Sequence, residues 1–130
     1  MIIDKKFLDN LSDKAKSSER LRFNFDLRNS SDDNSQRMLN ALEPGTVLPI
    51  HRHRNSSETL VVIRGAVKEQ FFNDAGEMTD RWILKPGNNT MMQIPAGQWH
   101  NLVCLECGTV IYESKDGKYE PACSEDILSV

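Results

Sequence analysis

The stretch GTVLPIHRHRNSSETLVVIRG, residues 45–65, holds two of the three histidines in the chain and runs on into an apolar segment closed by glycine. Successive side chains on a strand point to opposite faces, so residues at i and i+2 share a face. His51 and His53 can therefore point into one cavity, with Arg52 and Arg54 turned the other way or held at its rim. Glu58 opens the apolar run and has the parity of Leu60 and Val62, which puts it on the inward face with them. Asn55, Ser56 and Ser57 form a bend that would bring Glu58 back beside the histidines.

The third histidine, His100, lies in PAGQWHN and has the parity of Leu102 and Cys104 on a late strand. Three imidazoles and one carboxylate on inward faces make a set suited to a divalent transition metal: zinc, iron, nickel or copper through imidazole, and manganese through the carboxylate. Four protein ligands leave one or two positions for water or substrate on a five- or six-coordinate ion, whereas zinc would be filled tetrahedrally. A His-x-His pair alone often belongs to the surface. A buried glutamate is harder to dismiss, because burial without a partner is costly.

Most of the remaining chain also has a two-residue period. Leu21, Phe23, Phe25 and Leu27 alternate with Arg22, Asn24, Asp26 and Arg28, as in a half-buried strand. RMLNAL, VKEQFFN, MTDRWIL, TMMQIP, WHNLVCL and TVIYES follow as short strands, with turns at EPG, at Asp74-Ala75-Gly76 and at Pro86-Gly87-Asn88-Asn89. The tail from Lys115 is polar and reads as less regular. Residues 4–16 differ: Phe7, Leu8, Leu11 and Ala15 fall on one side of a short helix, capped by Asp4 and ended by Ser17 and Ser18. Many short strands with Pro and Gly turns argue an all-β sandwich or small barrel.

The chain has 130 residues, enough for one domain, with residues 1–36 as a helix-and-strand extension. Sixteen basic and 19 acidic residues give a net charge of -3 in a mixed distribution, so no nucleic-acid partner is expected. No run reaches the roughly 18 apolar residues of a membrane span. The start, MIIDKKFLDN, does not read as a secretion signal, and the three cysteines are an odd number. A cytoplasmic protein with free thiols is expected.

These motifs resemble the cupin superfamily. Its first pattern, glycine, five residues, His-x-His, three or four residues, glutamate, six residues, glycine, is met by Gly45, His51, His53, Glu58 and Gly65. Its second, Pro-x-Gly, two residues, histidine, is met by Pro95, Gly97 and His100. Two positions depart from it. Seven residues separate Gly87 from Pro95 where five are expected, and Cys104 stands where the pattern has asparagine. Neither is a ligand position, and they point to a longer turn and an altered pocket wall.

A narrower resemblance, through QRMLNALEPGTVLPIHRHRNSSETLVVIRG, the N-terminal helix and a Lys-x-Gly-x-Tyr-x-Pro tail, is to the WbuC family of cupin-fold metalloproteins, found among genes of bacterial surface polysaccharide synthesis. The resemblance implies a conical jelly-roll barrel (a double-stranded β-helix) of two antiparallel sheets, with a short N-terminal helix. It implies one metal in the cavity on His51, His53, Glu58 and His100, and barrels that pair as homodimers.

Other residues carry weaker signals. Cys104 and Cys107 have Cys-x-x-Cys spacing, but no second pair follows and a hairpin turn is expected there, so inert thiols are the simpler reading. Trp99, of opposite parity to His100, suits packing or a dimer contact better than a substrate platform. Arg37 could clamp an anion, Asn40 lies close by, and Tyr112 and Tyr119 could donate near the cavity mouth, although surface or packing roles serve each as well. The leading function is a metalloenzyme acting on a small polar or carbohydrate-related molecule by isomerisation or oxygen chemistry. The alternative is a non-catalytic small-ligand-binding or regulatory module.

Overall fold

The computed structural model describes residues 1–128, and its architecture is a cupin-type jelly-roll barrel with one helix. Helix α1 (Lys5–Ser17) is followed by β1 (Arg22–Asp26), β2 (Ser35–Leu42), β3 (Ile50–His51), β4 (Glu58–Arg64) and β5 (Val67–Phe72). Then come β6 (Met78–Leu84), β7 (Met91–Ile94), β8 (Trp99–Cys104), β9 (Thr109–Asp116), a 3-10 turn (Ser124–Asp126) and β10 (Ile127–Leu128). Two antiparallel five-stranded sheets result, ordered β1-β2-β9-β4-β7 and β10-β3-β8-β5-β6.

The inward face changes character along the strands, and that change makes the cavity. Leu60 and Val62 of β4, Val67 of β5, Leu102 and Cys104 of β8, and Ile111 of β9 plug one end of the barrel with an apolar core. The same faces continue into Glu58, Glu69, His100 and Glu113, all lining a cavity. The apolar plug supplies burial energy of about 1.5–3 kcal/mol per large side chain and fixes the level at which the polar groups meet.

Helix α1 lies on the outside of the first sheet. Leu8, Leu11 and Ala15 pack on Leu39, Ala41 and Val110, and Phe7 meets Phe25 edge-on at 5.0 Å between ring centroids. Asp4 caps the helix by accepting from the Phe7 amide at 2.9 Å, and Ser18 ends it, as the sequence suggests. The alternation in β1 follows from this packing. Phe23 and Phe25 pack against the cluster under the helix, while Arg22 and Asn24 line the cavity.

Gly65 closes the motif for a steric reason. Its φ is +80°, and a Cβ there would sit 2.2 Å from Thr109 Oγ1 and 2.7 Å from Thr109 Cα. No side chain fits between this bend and the start of β9.

Three readings of the sequence need correction. Strand β3 is only Ile50–His51, so His53 lies just beyond it in irregular chain. Strand β9 continues through Lys115 and Asp116, where an irregular tail was expected. Part of the tail beyond is also ordered as β10 against β3. Asp126 draws it in, accepting from Arg52 Nε at 3.0 Å and Arg54 Nε at 2.6 Å. Those two arginines thus point away from the histidines, as their parity requires.

Candidate metal centre

The structure brings the three histidines together. His51 pairs directly with His100 across β3 and β8, and their ring centroids are 4.4 Å apart. His53 is 5.1 Å from His51 and 5.8 Å from His100 by the same measure. One donor atom from each lies within 4.8 Å of the others. Closure by roughly 1–1.5 Å would let all three share one ion at about 2.1 Å each.

Hydrogen bonds select which nitrogens are free. His51 Nδ1 lies 3.0 Å from the Pro49 carbonyl oxygen, which can only accept, so Nδ1 carries the hydrogen and Nε2 keeps its lone pair. His100 Nδ1 lies 2.8 Å from Glu69 Oε1. Nε2 of His53 and Nε2 of His100 are buried with no hydrogen-bond partner. Buried polar atoms without partners are costly, and two imidazole nitrogens left so beside a third imidazole are what a bound cation would satisfy.

Glu58 joins the site from β4. Its Oε2 lies 3.8 Å from His100 Nε2, and its Oε1 accepts from Lys115 Nζ at 3.0 Å. Burial works against its charge, but Lys115 and then His100 outweigh burial and hold its pKa below the ordinary value. Glu58 is thus an anion already present, with one oxygen directed at the histidines and the other on Lys115. The compact donor cluster itself comprises His51, His53 and His100.

Burial also tunes the other groups. It lowers all three histidines, His53 to about 4, so the imidazoles are neutral at neutral pH, as ligands must be. Burial, then the Glu58 carboxylate, raises Glu69 well above its ordinary value. The same two causes push Glu113 up to about 8. Lys115 is raised because Glu58 and Glu113 overcome the burial that disfavours its charge. Three inward carboxyl groups therefore face one lysine. Without a metal, Glu69 and Glu113 hold protons and Glu58 pairs with Lys115; a divalent cation at the histidines would favour the ionised carboxyl groups, so the residues present fit a metal.

Glu69, Glu113 and Lys115 were not singled out from the sequence. Their parity was the available signal: Glu69 stands two residues from Val67, and Glu113 and Lys115 stand two and four from Ile111. Arg37 and Tyr112 fall elsewhere. Arg37 binds Asp33 at 3.1 Å and the Leu27 carbonyl at 3.3 Å, and Tyr112 packs in the cluster under the helix. Neither lines the cavity, because both have the parity of Leu39 and Val110 rather than that of Asn40 and Ile111. Tyr119 and Asn40 do line it.

Cys104 is buried in the apolar plug, its thiol 3.2 Å from the Glu106 carbonyl oxygen, and Cys107 is exposed. Burial raises the Cys104 thiol, against a thiolate ligand. Trp99 packs with Ile50 and Phe72, donates to Asp74 at 2.9 Å and lies under the Arg52 guanidinium. No helix among the described residues is long and apolar enough to cross a membrane.

Comparison with solved structures gives the same fold. KdgF from Halomonas sp. aligns with 75% of this chain and 82% of its own, at 16% identity and a TM-score of 0.61. BH2720 from Bacillus halodurans aligns with 86% of this chain and 81% of its own, at 20% identity and a TM-score of 0.64. The capsular polysaccharide assembling protein CapF from Staphylococcus aureus aligns with 85% of this chain at 17% identity and a TM-score of 0.66, and this chain spans 32% of it. No curated protein matches the sequence. A sequence family does match over residues 3–84, from the N-terminal helix through the His-x-His motif to the end of β6. The chain belongs to that family, described as Domain of unknown function (DUF6016).

Proposed function

We propose that the protein is a metalloenzyme in which His51, His53, Glu58 and His100 hold one divalent transition metal, of the zinc, iron, manganese or nickel class. The observation that carries this reading is the pair of buried, unpartnered imidazole nitrogens facing a third imidazole and an ionised glutamate. A metal bound there would polarise a carbonyl or hydroxyl oxygen of a substrate. The chain supplies the rest. Glu69 orients His100, and Lys115 fixes Glu58. Glu113, its carboxyl pushed up to about 8 in the metal-free cavity by burial and the Glu58 carboxylate, stands beside the site. It can pass a proton to or from a bound molecule. That equipment favours isomerisation of a small polar or carbohydrate-related substrate over oxygen chemistry. The resemblance to the WbuC family and the likeness to CapF, a capsular polysaccharide assembling protein, support a place in bacterial surface polysaccharide synthesis.

Metal analysis of the mildly purified chain, alongside His51→Ala and His100→Ala, tests the reading. One equivalent is expected in the wild type and a small fraction of it in each variant. Unchanged metal content in both variants would remove the assignment. Turnover, against stoichiometric binding alone, would separate an enzyme from a binding module.

A further inference from the structure

We propose that the cavity receives a small hydroxylated anion, with Arg20 and Arg22 on its carboxylate or phosphate and Asn40 on a hydroxyl group. This proposal rests on the reading above that the cavity is a ligand site, and it adds the class of ligand.

Both arginines line the cavity that contains the three histidines. They flank Leu21, whose φ of 56° is unusual for a residue with a branched side chain. That backbone is held firmly. The Leu21 amide donates to the Ser18 carbonyl at 3.0 Å. The Leu21 carbonyl accepts from the Glu43 amide at 3.0 Å and from Thr46 Oγ1 at 2.7 Å. A sparsely populated conformation pinned on both sides marks a place where the chain is held in position. Here it delivers two guanidinium groups to the rim. Arg20 is exposed and Arg22 half-buried, and neither joins an ion pair with a carboxylate among the described residues. Guanidinium forks match carboxylate and phosphate oxygens in pairs.

The second observation is independent of charge. Asn40 is 8% exposed, lines the same cavity, and its Oδ1 has no hydrogen-bond partner. It stands between Asn24 on β1 and Ile111 on β9, just above the apolar plug. A buried amide oxygen left open needs a donor, and a ligand hydroxyl group is one. The cavity volume of about 260 Å³ limits the ligand. It lies below the roughly 300–1,000 Å³ of sites for drug-sized molecules. A molecule the size of a monosaccharide or smaller fills it.

The test is calorimetric titration of the full chain with glycerate, glycerol phosphate, propionate and glycerol, with metal content measured on the same samples. Glycerate or glycerol phosphate should bind at least tenfold more tightly than glycerol, and the tighter of the two identifies the anionic group. The Arg20→Gln/Arg22→Gln variant should lose at least tenfold in affinity for that anion and keep its metal. Asn40→Ala should weaken glycerate several-fold and leave propionate, which has no hydroxyl group, unchanged.

Equal binding by the double arginine variant and wild type would overturn the proposal, as would glycerol binding as well as both anions. No binding by either anion to the metal-loaded wild type would also overturn it. Equal losses for glycerate and propionate in Asn40→Ala would remove the hydroxyl contact. A chain that holds no metal yet binds the anion through its arginines would refute the metal centre and leave the anion site standing.

Discussion

Glu69→Gln should weaken metal binding while making the metal-free protein less sensitive to alkali. Glu69 is 1% exposed, and among the described residues its side chain hydrogen-bonds only to His100 Nδ1, at 2.8 Å. When His100 Nε2 binds a metal, Nδ1 carries the hydrogen and donates to the carboxylate. The carboxylate then holds the ring in place and makes it a stronger donor. Glutamine is close in shape and its amide oxygen still accepts from Nδ1, so the substitution removes charge and keeps geometry. Losing such an outer partner commonly costs 10–100-fold in metal affinity, about 1.4–2.8 kcal/mol.

Without metal the sign reverses. Burial, then Glu58, raises the Glu69 pKa well above its usual value, so the folded chain holds a proton that the unfolded chain releases. Stability from that proton is present below the ordinary glutamate pKa and declines as pH rises toward the raised one. The variant lacks this decline. Chelator competition would read the affinity, and thermal unfolding of metal-free protein at pH 6 and pH 9 would read the stability difference. Wild-type affinity in Glu69→Gln, or a stability difference between the two proteins that does not change with pH, would refute the reasoning.

Metal retention should stay constant from about pH 8 to about pH 6, since an unperturbed histidine titrates near 6.5 and burial lowers all three here. It should fall as pH approaches about 4, the value for His53, where protons displace the ion. Because a lowered imidazole pKa favours the neutral folded form, metal-free stability should decline over the same interval. Full retention at pH 3 would contradict imidazole ligation. Cys104→Ser with Cys107→Ser should keep both metal and fold, because Cys104 belongs to the apolar plug and Cys107 is exposed. Strong thiolate-to-metal charge-transfer bands in the cobalt-substituted protein would show that reading to be wrong.

Side-chain parity carried most of what could be read before the structure, and its uneven use explains what was missed. The two-residue period places Glu58 beside Leu60 and Val62, and His100 beside Leu102 and Cys104, and both pairings hold in the barrel. The same rule extends past an apolar run. Val67 is a core residue, so Glu69 must face inward too, and Ile111 commits Glu113 and Lys115 in the same way. A glutamate or lysine late in a strand reads as solvated because most are, and only neighbouring strands show whether a cavity lies above it.

Arg37 shows the converse. It is close in sequence to the first motif, but one residue decides the face of a strand, and Arg37 shares its side with Leu39 under the helix. The groups at the rim depended on something that parity cannot supply. Arg20 precedes β1, and its position follows from the left-handed backbone at Leu21, which contacts made by Glu43 and Thr46 hold in place. Those residues are more than 20 positions away, beyond the reach of any local pattern.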